Sequence, residues 1–308
     1  MDLKDKLMQK NGIIAVTLAR EFLSNEVGDR ILTVAQLAEK YSTARGTIQS
    51  ALKFLQDYEA ISLEARGHLG TFITSINYIK LLDVADIKTI LGVMPLPYSK
   101  VYEGLATGLY NTLVTSNISV GLAYMRGANT RVEALREQRY DFAVISKLAA
   151  QHYISEGHDI EIIDEFGDFT YVNEHILMFS KGSKNTIEDG MKIGIDYSSL
   201  DQVILTKYHC QGKNVEFVPL IYSQILNSIL RGEIHAAIWN KDDLQDRDIK
   251  IPFKPINNSI FSYKDTNAVI VANTENSSFN TLLKKFINKE KVLDIQKKVI
   301  NGEITPNY

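Results

Sequence analysis

Cysteine is nearly absent: Cys210 is the only one in 308 residues, so no intrachain disulfide can form and a reducing compartment is the natural setting. Prolines number six, and no block of like charge or biased composition interrupts the chain, which leaves no low-complexity tail or long flexible linker. Long apolar runs are missing too. The longest near the N-terminus is Ile13 to Val16, far short of a membrane span, and Met1 to Lys6 alternates charge where a secretory leader would be basic. Neither export nor membrane insertion is expected, and the cytoplasm is the expected location. A net charge of -3 gives no global attraction to nucleic acid, so any such binding must come from a local surface.

Catalytic signatures are lacking as well. The six histidines form no HExxH or HxH arrangement, and no G-x-S-x-G, P-loop or GxGxxG occurs. His209 and Cys210 are adjacent without the paired spacing of a zinc site, and Cys210 reads as a small apolar filler. The reading is therefore a non-enzyme with no metal, no cofactor and no catalytic residue.

What is present is a folding sequence, 45% hydrophobic and 23% charged. Its length favours two domains, and the apolar period changes near residue 80. The expected division is 1–80 and 86–308, the second part split into lobe one (86–181 and 262–308) and lobe two (182–261). Residues 1–80 carry ten Lys or Arg against nine Asp or Glu.

In the first part, Ile13 to Leu23 is an amphipathic helix, and Thr33 is placed to cap a second over Val34 to Tyr41 with Leu37 and Ala38 inward. A third runs from about Ala44 to Tyr58, with Ile48, Ala51, Leu52 and Leu55 on one face. The period then becomes two, and residues 61–74 form a hairpin with its tip at 65–70. Three helices and a hairpin make a winged helix-turn-helix. Beyond residue 86, strand and helix alternate in two successive βαβαβ sets, 88–146 and 192–240, which predicts an α/β domain of two doubly wound, parallel lobes. A last strand, 268–272, and one helix, 279–300, return to lobe one. Gly104 and Gly108 are spaced for helix packing, and the acidic set Glu161, Asp164, Glu165 and Asp168 reads as a solvated loop.

Leu37-Ala38-Glu39-Lys40, Arg45 through Leu52, Leu55 and Gly70-Thr71-Phe72-Ile73 together resemble the GntR-type winged-helix DNA-binding domain. In that pattern Ala44 stands where Ser is usual, so the helix cap must come from Ser42 or Thr43. The remainder resembles the YhfZ-type effector domain, through Pro97-Tyr98-Ser99 with Tyr102-Glu103-Gly104-Leu105-Ala106, Tyr124-Met125-Arg126-Gly127-Ala128, residues 140–146, Tyr171 to His175, Phe217 to Gln224, Ala236 to Asn240 and Pro306-Asn307-Tyr308. The resemblance implies a type II periplasmic-binding-protein-like fold behind a DNA-binding head, and a transcriptional regulator.

A recognition helix needs short polar or basic side chains on its outer N-terminal face, with flanking groups on phosphates. Thr43, Arg45, Thr47, Gln49 and Ser50 fit that need, Gly46 permits close backbone approach, and Lys53, Arg66 and His68 are the phosphate or minor-groove candidates. In the second domain the ligand is expected at the carboxyl ends of the strands, across the cleft between lobes. Those ends deliver Tyr98, Ser99, Tyr124, Arg126 and Ser146 from lobe one, and Tyr197, Ser198, Ser199, Tyr222, Ser223 and Asn240 from lobe two. Ser99, Ser198 and Tyr222-Ser223 open helices, where free N–H groups favour an anion, and Arg126 offers a fork for carboxylate or phosphate. The expected partners are a double-stranded DNA operator and a small anionic or zwitterionic effector, no membrane, and a second copy of the chain in a homodimer. The competing reading is a cytoplasmic small-molecule-binding protein or enzyme with a vestigial head. A third is a DNA-bound scaffold whose cleft is filled by its own side chains.

Overall fold

The computed structural model describes residues 9–116, 118–183, 185–246, 248–256 and 261–308. It divides into two units: residues up to Ile90 with 116–119 and 276–286, and the remainder.

The first unit starts with α1 (Lys10–Phe22), β1 (Arg30–Ile31), α2 (Val34–Lys40) and α3 (Arg45–Asp57). It continues through β2 (Ile61–Ala65), a single 3-10 turn, β3 (Thr71–Ile76) and α4 (Tyr78–Val84). Thr33 caps α2 as the sequence predicts, in a reciprocal capping box with Gln36. The apolar face of α3, Ile48, Ala51, Leu52 and Leu55, is buried. No side chain caps α3, contrary to the expectation for Ser42 or Thr43: Ser42 stands at φ 46, and the Thr43 hydroxyl is buried without a partner among the described residues. The wing has a third strand, because β1 pairs antiparallel with β3 on the side opposite β2.

The second unit holds two five-stranded sheets. Its elements begin with β4 (Ile90–Met94), α5 (Lys100–Thr115), β5 (Val120–Tyr124), α6 (Ala128–Arg136), β6 (Phe142–Ser146) and α7 (Lys147–Ser155). Next come β7 (Ile160–Gly167), β8 (His175–Phe179), β9 (Lys192–Ile195), α8 (Leu200–His209), β10 (Glu216–Pro219) and α9 (Tyr222–Leu230). The series continues with β11 (Ala236–Asn240), α10 (Lys241–Asp246), β12 (Phe253–Pro255) and β13 (Ala268–Asn273). The chain then forms α11 (Ser277–Phe286), which belongs to the first unit, and α12 (Lys289–Ile300).

Both sheets follow one plan: β5-β4-β6-β13-β7 in lobe one and β10-β9-β11-β8-β12 in lobe two. In each, three strands linked by helices lie side by side and a fourth arrives from the other lobe: β13 runs antiparallel to β6, and β8 antiparallel to β11. The sheets are therefore mixed, not parallel as expected, since a strand entering from across the molecule has no helix to reverse its direction. Glu161, Asp164 and Glu165 lie on the edge strand β7 instead of in a loop, and Lys147 pairs with Glu165 at 2.5 Å. The expected single helix at 279–300 is broken in two, with Asn288 capping α12. Gly104 and Gly108 are packing points as read: a Cβ on either would meet α12 backbone, Gln296 O at 2.9 Å and Val292 O at 2.7 Å.

Candidate functional site

On the head, the outward face of α3 exposes Arg45, Gly46, Gln49, Ser50 and Lys53, with Thr43 and Thr47 half-buried beside them. A Cβ at Gly46 would meet nothing within 4 Å, so this stretch of backbone is open to approach. At the wing, His68 is exposed, whereas Arg66 is held by Glu64 at 2.7 Å and lies over the Phe72 ring at 4.8 Å.

In the second unit a cavity of about 80 Å³ opens between the lobes. Of the residues expected there, Tyr98, Arg126, Ser199, Tyr222 and Asn240 line it. The others do different work. Ser99 opens α5, with its Oγ 3.5 Å from the Tyr102 amide, and Ser146 accepts from the Ala149 amide to cap α7. The Tyr124 ring rests on Tyr308 at 5.3 Å, and Tyr197 and Ser223 are exposed. Ser198 donates through both its amide and hydroxyl to Asp196. At the start of α9, where free amides are expected to hold an anion, the Tyr222 amide is taken by the chain's own carboxylate, donating to Asp196 Oδ2 at 2.9 Å.

The lobes meet at several points around the cavity. Tyr98 stacks on Tyr222 at 5.3 Å, and Tyr222 lies parallel to Trp239 at 3.8 Å, which makes a three-ring wall. Arg126 Nη1 approaches Asp196 Oδ2 at 3.7 Å, and Ser146 Oγ donates to Asp201 Oδ1 at 2.7 Å. At Gly127, with φ 79, a side chain would strike the Ser198 carbonyl at 2.5 Å, so only glycine permits this closure.

Sequence reasoning missed most of the charged lining. Arg131, 2% exposed, donates to the carbonyls of Val144 and Met125 and to the Tyr171 hydroxyl, all neutral acceptors. Tyr102 and Tyr171 meet edge to face at 5.1 Å, and burial pushes both phenols above their ordinary value. Burial raises the Asp201 carboxyl to about 6, against the opposing hydrogen bond from Ser146. Burial would lower the His175 imidazole, but its 2.8 Å bond to Asp265, with Asp201 and Asp242 nearby, holds it above the ordinary histidine value. A signal was available: Arg131 lies three residues from Ala128 and four from Leu135, a charge on the apolar stripe of its own helix.

No group of acidic, histidine or cysteine residues suited to a metal ion occurs among the described residues, and none of their helices is long and apolar enough to cross a membrane.

These observations define a two-part protein: a winged helix-turn-helix head and a bilobal domain of the periplasmic-binding-protein-like kind, with a charged cavity between its lobes. A helix-turn-helix domain model matches residues 26–73, and the model of the YhfZ C-terminal domain matches residues 77–308. The chain belongs to the YhfZ family. It is 34% identical over 304 residues to the uncharacterized protein YhfZ of Escherichia coli (strain K12), covering 98% of each. The crystal structure of YhfZ from Shigella flexneri superposes with a TM-score of 0.62 at 35% identity, covering 74% of this chain and 96% of that one. The BvgS VFT2 domain from Bordetella pertussis is similar in fold alone, with a TM-score of 0.51 at 11% identity over 73% of this chain and 98% of that domain.

Proposed function

We propose that this chain is a cytoplasmic, GntR-like transcriptional regulator that binds operator DNA through α3 and the wing, as a homodimer, and responds to a small anionic or zwitterionic effector in the interlobe cleft. The observation that carries the reading is the pairing, in one chain, of an exposed polar recognition face with a cleft in which a buried guanidinium is met by neutral acceptors alone. Arg45 is placed to fork to guanine and Gln49 to pair with adenine, each worth about 1–3 kcal/mol of discrimination. Lys53 and His68 reach phosphate, and Arg66 does so after release from Glu64. Arg126 and Arg131 attract the anionic part of the effector, and the effector acts by favouring one lobe angle over another. No catalytic group is assigned.

The test is fluorescence anisotropy with DNA from the gene's own upstream region against random duplex, at two salt concentrations. Sequence-dependent binding that survives moderate salt and is lost in Arg45→Ala is the expected outcome. Equal, weak and salt-erased binding to both duplexes would show the head to be vestigial.

A further inference from the structure

The two lobes bring opposite charge to the cavity. Arg126 and Arg131 come from lobe one, on or just before α6, and Asp196 and Asp201 come from lobe two, at the end of β9 and the start of α8. Asp196 is already engaged by Ser198, the Tyr222 amide and Arg126, so its role is to hold the wall together. The other three are less fully matched, since the pair of Arg126 with Asp196 stands at 3.7 Å, outside hydrogen-bond reach. Arg131 meets neutral acceptors, and Arg126 Nη1 is buried with no hydrogen-bond partner among the described residues. Asp201, 7% exposed, receives the Ser146 hydroxyl and forms no salt bridge among the described residues, with Arg131 and His175 acting on it through space. A purely anionic ligand would answer the arginines and press a second negative charge toward Asp201. A purely cationic ligand would do the reverse. Burying either kind of charge without its partner is costly.

We propose, on the reading that this cleft is the effector site, that the effector is a small zwitterion whose acidic group lies against Arg126 and Arg131 and whose ammonium lies against Asp201. The remainder of the ligand lies on the wall of Tyr98, Tyr222 and Trp239. With a water needing about 10–15 Å³ of such space, a cavity of about 80 Å³ suits a molecule of few heavy atoms. Because one charged end belongs to each lobe, such a ligand closes the cleft by bridging it, through charge-assisted hydrogen bonds at both ends.

The arrangement also makes binding proton-linked. The groups facing Asp201 are Arg131 on α6, Tyr153 on α7, Tyr171 before β8, His175 on β8 and Asp265 before β13. Since Asp201 titrates near 6, an ammonium ligand must displace its proton at lower pH, and affinity should fall up to about tenfold per pH unit below that point.

The experiment is calorimetric and thermal-shift titration of the full chain with the twenty common L-amino acids and their D-forms. Each is matched to the corresponding acid lacking the amine and the amine lacking the acid, with phosphate and succinate as dianions. A zwitterion should bind, with both of its single-charge analogues at least 100-fold weaker. Asp201→Asn, isosteric and checked by its melting curve, should weaken the zwitterion at least tenfold and flatten its pH dependence, and Arg126→Gln should weaken it independently. Tightest binding by a dianion or a single-charge compound, unaffected or improved in Asp201→Asn, would overturn the zwitterion and leave the cleft as the effector site. A panel in which no class binds, or in which binding ignores both substitutions, would overturn the effector reading of the cleft as well.

Discussion

Asp201 has its folded-state proton affinity raised by burial, from the ordinary carboxylate value to about 6, so the folded chain binds a proton there more tightly than the unfolded chain does. Ionisation therefore costs stability as pH rises from about 4 to about 6, by something on the order of 1–3 kcal/mol. His175 acts in the same direction at higher pH: its raised value adds stability below the unfolded histidine value that is lost as pH climbs through the folded one. Denaturant unfolding at pH 4, 5, 6 and 7 should show Asp201→Asn gaining on the parent between pH 4 and 6 and then holding a constant margin. A parent that gains on the variant with rising pH would contradict this account. The residues that carry the cleft were only half legible in the sequence. Tyr98, Arg126 and Tyr222 stand at strand ends, where a parallel arrangement advertises them, whereas Tyr102, Arg131, Asp201 and Gln202 sit within helices, a turn or less from their starts. Asp196 also stands at a strand end, but nothing in one dimension shows that its carboxylate turns back onto the amide of Tyr222.

Among the elements, α3 was readable to within a residue because four apolar positions at helical spacing all face one core. The strands β7, β8 and β12 were not. On β7, Glu161, Asp164 and Glu165 obscure the alternation of an edge strand, and β8 is buried on both faces, so it has no alternation to read. The contact of α5 with α12 is a close backbone approach permitted by Gly104 and Gly108. Gly108→Val would drive a side chain into Val292 and should cost about 1–3 kcal/mol, seen as a lowered urea midpoint with unchanged slope. Thr33→Ala removes the cap of α2 and should cost about 1 kcal/mol, while DNA affinity measured well below the melting temperature changes little.

Across the whole molecule, the head is discontinuous in sequence. Helix α11, beyond residue 275, belongs with the winged helix: Phe286 meets Tyr78 edge to face at 6.0 Å, and Lys285 pairs with Glu26 at 3.0 Å and donates to the Asn25 carbonyl at 3.3 Å. No periodicity in the first 80 residues announces this, because the missing surface is supplied by a helix that reads like any other amphipathic segment. Lys285→Glu should speed amide exchange in α1 and in the turn at Asn25, with β6 and β11 unchanged, and Glu26→Lys in the same chain should restore part of the protection.

A head finished by residues 276–286 has a consequence for synthesis. The ribosome delivers α1, α2, α3 and the wing first, yet the helix that completes their packing emerges only after lobe two and all of lobe one but α12 and the C-terminal residues have been made. A nascent chain thus carries α3 on an unfinished support, and the head's packing is completed only as the cleft domain nears completion.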